Sequence, residues 1–130
     1  MPCRYVIDVE QQLVISTAWD RVTFAEVEAH QDRLMSDPNF NPEFKQLVDA
    51  TKVTGLDISI DGAKAIFGRK TFSSSSRCAF LGSGLSILGM GRLIEAQAEM
   101  AEGREHVRVF SNRESALKWL GLETPPRQLL

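Results

Sequence analysis

Hydrophobic and polar residues alternate along the first part of the chain. Residues 4–10 and 13–18 both show the period of two that is typical of half-buried strands. Only two glutamines separate these segments, so their spacing predicts an antiparallel hairpin, although glutamine is a poor turn former.

The pattern then changes to helical spacing. Thr23-Phe24-Ala25-Glu26 is a capping box, with a hydroxyl at the N-cap and a carboxylate three residues later. It predicts a helix over residues 24–35, which Pro38 stops. The buried stripe of this helix is expected at Phe24, Val27 and Leu34, with Ala25 and Met35 at its margin.

Strands and helices alternate through the rest of the chain. The predicted elements are a strand at residues 45–50, a helix at 59–70, a strand at 78–81, a helix ending near 102 with Gly103 as its C-cap, a strand at 106–110, and a last helix with a capping box at 111–114. The order ββαβαβαβα predicts an α/β fold with a mixed sheet of about five strands. We expect one domain over residues 1–123 and a C-terminal tail over residues 124–130.

Composition narrows the classes of function. The chain has 130 residues, of which 43% are hydrophobic and 25% charged, as in an ordinary globular domain. A formal net charge of -2 provides no electrostatic attraction to nucleic acid. No stretch approaches the ~18 apolar residues of a membrane span. The first ten residues lack the apolar segment of a signal peptide, which predicts a cytoplasmic protein.

Cysteine and histidine are too few to indicate a metal site or an enzyme. Cys3 and Cys78 are expected to be thiols, with Cys78 partly buried in a strand. His30 is expected to be exposed on a polar helical face, and His106 to have a structural role at the start of a strand. No C-x-x-C motif and no Ser-His-Asp or Cys-His grouping is visible. We therefore predict no catalytic residues, no metal and no cofactor.

The stretch from residue 44 to residue 65 reads as strand, loop and helix start. Asp49 closes the strand, Val53 and Thr54 lie in the expected loop, and Asp57 and Ser59 lead into the helix. Ligands and regulatory groups often bind where strands end and helices begin in α/β folds. Asp49 and Asp57 could form a carboxylate pair, but holding loop amides or capping the helix is the simpler interpretation.

This stretch resembles the STAS domain, the fold of the bacterial anti-anti-sigma factors typified by SpoIIAA. The family pattern is a strand ending in Asp, then Val-Thr, then Asp-Ser-Ser-Gly. Asp49, Val53-Thr54 and Asp57 match it, whereas Ile58 and Ile60 depart from it. Ser59 stands where the resemblance places a phosphate acceptor. The alternative is that Ser59 simply caps the helix.

Nearly the whole chain resembles a bacterial group described as STAS-like or SpoIIAA-like, which has no established activity. The shared elements are Tyr5-Val6-Ile7-Asp8, residues 37–44, Leu47-Val48-Asp49, residues 107–110 and residues 116–120. The resemblance implies a STAS-like fold.

Residues 82–91 form a glycine-rich passage. Its glycine spacing lacks the third glycine of a dinucleotide site and the lysine of a phosphate loop. The passage also carries four apolar side chains: Leu85, Ile87, Leu88 and Met90. They suggest either a mobile lid over an apolar pocket or a contact surface for a second subunit.

Two functions follow as hypotheses. The leading one is a non-enzymatic regulatory or protein-interaction module that docks through residues 53–59 and the following helix. The alternative is a protein that binds a small apolar or lipid-like ligand, with residues 82–91 as its lid. A homodimer is compatible with both, and the sequence does not identify a protein partner.

Overall fold

A five-stranded mixed sheet runs through the described part of this computed structural model, which comprises residues 2–69, 71–73, 75–100 and 106–122. The elements are β1 (Cys3–Asp8), β2 (Leu13–Thr23), α1 (Phe24–Met35), β3 (Lys45–Asp57), α2 (Ile60–Gly68), β4 (Arg77–Gly82), α3 (Leu85–Met100), β5 (His106–Phe110) and α4 (Arg113–Trp119). This order confirms the predicted ββαβαβαβα arrangement.

The strands lie in the order β1-β2-β3-β4-β5. β1 and β2 are antiparallel, as the hairpin predicted, and every other neighbouring pair is parallel. The hairpin turns at Gln12, which has a φ of 55° and donates its backbone N–H to the carbonyl of Val9 at 3.2 Å. The short separation of the two strands therefore predicted the hairpin correctly, although Gln12 is a poor turn former.

Helices cover both faces of the sheet, and the alternation of β2 shows why. Leu13 and Ile15 point to one face and pack with Leu117 of α4. Val14 points to the other face and packs with Leu34 of α1. Because successive side chains of a strand point to opposite faces, β2 contributes to both cores.

Helix α1 begins as its sequence predicts. Thr23 Oγ1 accepts the backbone N–H of Glu26 at 3.3 Å, and Glu26 Oε1 accepts the N–H of Thr23 at 3.0 Å. The helix ends at Met35, which, like Ala25, is exposed and does not belong to the buried stripe. The prediction for α4 was wrong by one residue, since Asn112 rather than Ser111 is its N-cap.

Strands β2 and β3 are longer than predicted. Their parallel pairing extends to the partners Val22 and Leu56 and ends at Thr23 and Asp57. Val53 and Thr54 therefore lie in β3, and the predicted loop over these residues is wrong. Pairing with a neighbouring strand supplies hydrogen bonds that local sequence cannot reveal.

The prediction of a glycine-rich loop at residues 82–91 is wrong, because helix α3 begins at Leu85. Gly84 has a φ of 83°, and its carbonyl accepts the N–H of Leu88 at 3.0 Å, so the helix begins within this segment. Glycines lower helix propensity, but packing of the helix against the sheet outweighs that cost. Gly103 and the tail at residues 124–130 lie outside the described residues.

Gly91 lets α3 approach the sheet. A Cβ atom at this position would lie 3.0 Å from the ring of Phe80 and 3.3 Å from Val109 Cγ2, whereas a Cβ atom at Gly89 would meet nothing within 4 Å. The close approach of α3 to the sheet therefore depends on Gly91 and not on Gly89.

We predict opposite effects for alanine at these two glycines. Gly91→Ala is expected to lower the free energy of unfolding by about 1–3 kcal/mol because it overpacks a buried ring. Gly89→Ala should raise it by about 0.5–1 kcal/mol through helix propensity alone. Urea unfolding of both variants measures the difference, and equal effects would contradict the close approach at Gly91.

Candidate functional site

A cavity of about 150 Å³ lies between the sheet and helices α1, α2 and α3. Its walls are mostly apolar. The lining residues are Cys3, Ser16, Thr17, Ala18, Val22, Val27, His30, Gln31, Gln46, Val48, Ala50, Val53, Leu56, Ile58, Ala63, Ile66, Cys78, Phe80, Ile94 and Val107. None of these described lining residues is Asp, Glu, Lys or Arg.

A chain of hydrogen bonds joins three of the polar residues. Gln46 Nε2 donates to Ser16 Oγ at 3.3 Å, and Ser16 Oγ lies 3.0 Å from His30 Nε2. All three residues are buried. Because Ser16 already accepts from Gln46, its own proton is available for His30 Nε2. When Ser16 donates that proton to Nε2, the ring proton of a neutral His30 lies on Nδ1.

His30 is neutral at physiological pH. Its side chain is only 7% exposed, and the ring of Tyr5 packs edge-on against it with centroids 5.5 Å apart. Burial lowers the pKa of His30 to about 4, and the nearby positive charge of Arg33 contributes in the same direction.

The expectation that His30 is exposed is therefore wrong. The helical spacing from Val27 to Leu34 did contain the signal, because positions 30 and 31 lie on the same face of a helix as positions 27 and 34. Because His30 and Gln31 are polar, the hydrophobic pattern did not identify them as buried positions. Sequence reasoning consequently missed the polar end of the cavity.

Two buried polar atoms of α1 lack a hydrogen-bond partner among the described residues. They are His30 Nδ1 and Gln31 Oε1, on consecutive residues that both line the cavity. An unsatisfied buried donor or acceptor typically costs about 1–3 kcal/mol. With the ring proton on Nδ1, these atoms offer one donor and one acceptor.

The contact between Ser16 and His30 has the spacing of a nucleophile and its base. A catalytic histidine also needs an acceptor that orients its other nitrogen, and His30 Nδ1 has none within the described part of the chain. The lowered pKa of His30 makes it a weak base at neutral pH. The pair therefore lacks both the orienting acceptor, within the described residues, and the basicity of a catalytic pair.

The two candidate carboxylates are not brought together. Asp49 Oδ1 accepts the backbone N–H of Thr51 at 3.0 Å, and Asp49 Oδ2 pairs with Arg113 at 3.3 Å. Asp57 pairs with Arg21 at the C-terminal end of β3, whereas Asp49 lies within this strand and does not close it as expected. Eight residues of strand place the two aspartates roughly 26 Å apart. Each carboxylate makes its own local hydrogen bond or ion pair, and the two do not form a shared site.

Ser59 occupies the N-cap position before α2. Its Oγ accepts the backbone N–H of Gly62 at 3.0 Å, and its carbonyl accepts the N–H of Ala63 at 2.9 Å. The side chain is exposed. The capping interpretation is therefore correct, and phosphorylation of Ser59 stays a prediction. Among its sequence neighbours, Val53 lines the cavity and Thr54 is exposed.

The four residues of the predicted lid lie in the first two turns of α3 and do not act together. Ile87 is buried in the core beside Phe80, whereas Leu85 is 92% exposed. Leu88 and Met90 are partly buried. Helix α3 instead contributes Ile94 to the cavity wall. The prediction of a mobile lid is therefore wrong, because these residues belong to a helix that packs on the sheet.

Cys3 and Cys78 both line the cavity and are not joined by a disulfide. They lie on β1 and β4, with two strands between them. Burial raises the pKa of Cys3, and the charge of Glu26 adds to this effect, so its thiolate is disfavoured.

Two further findings concern the described residues alone. They contain no group of three or more His, Cys, Asp or Glu residues arranged to hold a metal ion. None of their helices combines the length and the apolar character needed to cross a membrane.

Comparison with known proteins reveals similarity in structure. No family model and no curated protein matches the chain. The chain is similar to the crystal structure of an uncharacterised protein of the DUF3478 family with a SpoIIAA-like fold from Shewanella loihica PV-4. The TM-score is 0.59 and the identity 22%, over 91% of this chain and 93% of the other. The SpoIIAA-like fold predicted from the sequence is confirmed.

We predict that His30 makes the protein less stable in mild acid. The unfolded chain binds a proton near pH 6.5, whereas the folded chain resists it until about pH 4. Above pH 6.5 His30 is neutral in both states and does not lower the free energy of unfolding. As the pH drops from 6.5 towards 4, protonation of the unfolded chain lowers that free energy. Between pH 7 and pH 5 the free energy of unfolding should fall by about 2 kcal/mol.

Urea unfolding of the wild type at these two pH values measures this loss. His30→Leu should remove most of it. His106→Asn, at the exposed start of β5, should retain it. An equal loss in wild type and His30→Leu would contradict a buried neutral His30.

Proposed function

We propose that this protein is a non-enzymatic binding protein for a small, neutral, mainly apolar molecule, held in the cavity between the sheet and helices α1–α3. The observation that carries the proposal is the cavity itself, with apolar walls and a few polar side chains. Ligand sites in proteins commonly have this composition.

The size of the cavity limits the ligand. An engineered apolar cavity of about 150 Å³ in another protein binds benzene. The cavity here has about the same volume, which is below the roughly 300 Å³ at which sites for drug-sized ligands begin. The ligand that fits this volume is a single ring or a short branched chain, and a long lipid tail would require the helices to move.

The lining also limits the charge of the ligand. Its described residues carry no formal charge at neutral pH, because His30 is neutral and burial disfavours the Cys3 thiolate. Transfer of an unpaired ion into such surroundings is strongly unfavourable. A neutral ligand avoids this cost.

We predict that filling the cavity prevents binding. Ala63 of α2 is buried and lines the cavity, so Ala63→Leu should occupy part of it. Ala65 lies on the same helix but is exposed, so Ala65→Leu adds the same atoms outside the cavity. With toluene as the probe, Ala63→Leu should bind at least tenfold more weakly than the wild type and Ala65→Leu.

Two-dimensional NMR titration measures these affinities and shows at the same time that each variant is folded. Saturable shifts should concentrate on residues of the cavity wall, such as Val53 and Phe80. The absence of saturable binding to the wild type, or equal affinity of the two variants, would contradict the proposal.

A second candidate function is protein interaction through α2 and α3, the leading hypothesis from the sequence. Ile60 and Leu93 are each 57% exposed, and both border a small apolar groove next to Ser59. Exposed apolar residues that cluster often mark a contact surface. A phosphate on Ser59 would add negative charge beside this groove and oppose apolar docking.

Self-association is the form of this hypothesis that the purified protein can test. If a second copy covers the groove, sedimentation equilibrium should show a dimer for the wild type. The double variant Ile60→Ser/Leu93→Ser should then be monomeric, because it removes the apolar contact. The exposed Leu85→Ser is a control expected to leave the dimer intact. A monomeric wild type up to millimolar concentration would reject the homodimer.

A further inference from the structure

We infer that the molecule in the cavity carries a hydroxyl group, which accepts a hydrogen bond from His30 Nδ1 and donates one to Gln31 Oε1. The ligand class is therefore small alcohols and phenols. This inference rests on the proposed function and deepens it, since it identifies two residues that decide which apolar molecules bind.

The donor rests on one assignment within the buried cluster, in which Ser16 Oγ donates to His30 Nε2. Gln46 donates to Ser16, and Ser16 lies within hydrogen-bond distance of His30 Nε2. With Nε2 as the acceptor of that bond, Nδ1 of the neutral ring carries the proton. Nδ1 is buried without a partner among the described residues, and His30 lines the cavity. The site thus offers one N–H donor.

The acceptor comes from the next residue along α1. Gln31 Oε1 is buried, has no hydrogen-bond partner among the described residues, and belongs to a side chain that also lines the cavity. An amide oxygen can only accept. A donor and an acceptor therefore lie on consecutive residues of a mostly apolar lining.

A hydroxyl both accepts and donates, so one such group can satisfy both atoms, whereas several other polar groups cannot. A ketone or ether would accept from His30 but leave Gln31 Oε1 unsatisfied. A carboxylate would face the oxygen of Gln31 and bring a charge into a lining that has none. An ammonium group would face the N–H of His30 and would also be an unpaired buried ion. A purely apolar ligand would leave both polar atoms without partners.

The geometry also predicts how the site discriminates between ligands. A site built to hydrogen-bond a hydroxyl rejects the analogue that lacks it, because the polar groups of the site then remain unsatisfied. Toluene and phenol are matched probes, since each carries a single small substituent on the same ring. We expect phenol to bind the wild type at least tenfold more tightly than toluene at pH 7, and benzoate to bind more weakly than phenol.

The test combines these probes with variants of near-constant size. Gln31→Met retains the shape of the side chain but removes the acceptor, so it should abolish the preference for phenol while toluene still binds. Gln97→Met is the matched control. Gln97 Oε1 is likewise buried without a partner among the described residues, but Gln97 borders the small groove and does not line the cavity. Its phenol preference should equal that of the wild type.

The outcomes separate this inference from the function on which it rests. Saturable binding of toluene without a preference for phenol overturns the hydroxyl site and leaves the apolar cavity as a ligand site. Tighter binding of benzoate than of phenol overturns the neutral ligand class. A phenol preference that survives in Gln31→Met overturns the role of Gln31. If neither toluene nor phenol binds the wild type, the proposed function fails and this inference fails with it.

Discussion

The parallel pairing of β2 with β3 is the constraint on which the rest of the structure depends. It runs from Leu13 opposite Lys45 to Thr23 opposite Asp57. Thr23 caps α1, and α2 begins three residues after Asp57, so the ends of the two strands place the starts of both helices side by side. Arg69, directly after α2, then forms ion pairs with Glu28 and Asp32 of α1.

The same pairing creates the polar end of the cavity. Ser16 on β2 and Gln46 on β3 lie close enough to hydrogen-bond, and α1 lays His30 over them. A fully apolar set of residues at these positions would stabilise the fold more simply, because buried polar atoms without partners are costly. The proposed ligand would supply partners to His30 Nδ1 and Gln31 Oε1, which have none among the described residues.

Local signals determined the elements of the fold, and their limits are visible at particular residues. The capping box at Thr23 predicted the start of α1 correctly, because an N-cap is a contact between residues three positions apart. The cap of α4 is Asn112 and not Ser111; both residue types are good caps, so residue type alone does not distinguish them. The glycines of residues 82–91 suggested a loop, but packing on the sheet, against Phe80 of β4 and Val109 of β5, holds that segment in α3.

The sequence by itself determined the order of strands and helices, the antiparallel hairpin and the resemblance to a SpoIIAA-like fold, because periodicity, caps and motifs are local along the chain. Only the tertiary structure decided where the candidate site lies. Its wall combines Ser16, His30, Gln46 and Phe80 from four different elements. Their approach depends on which strands pair and how the helices pack on them. The sequence instead drew attention to Asp49 and Asp57, which share one strand and are kept apart by its extended geometry.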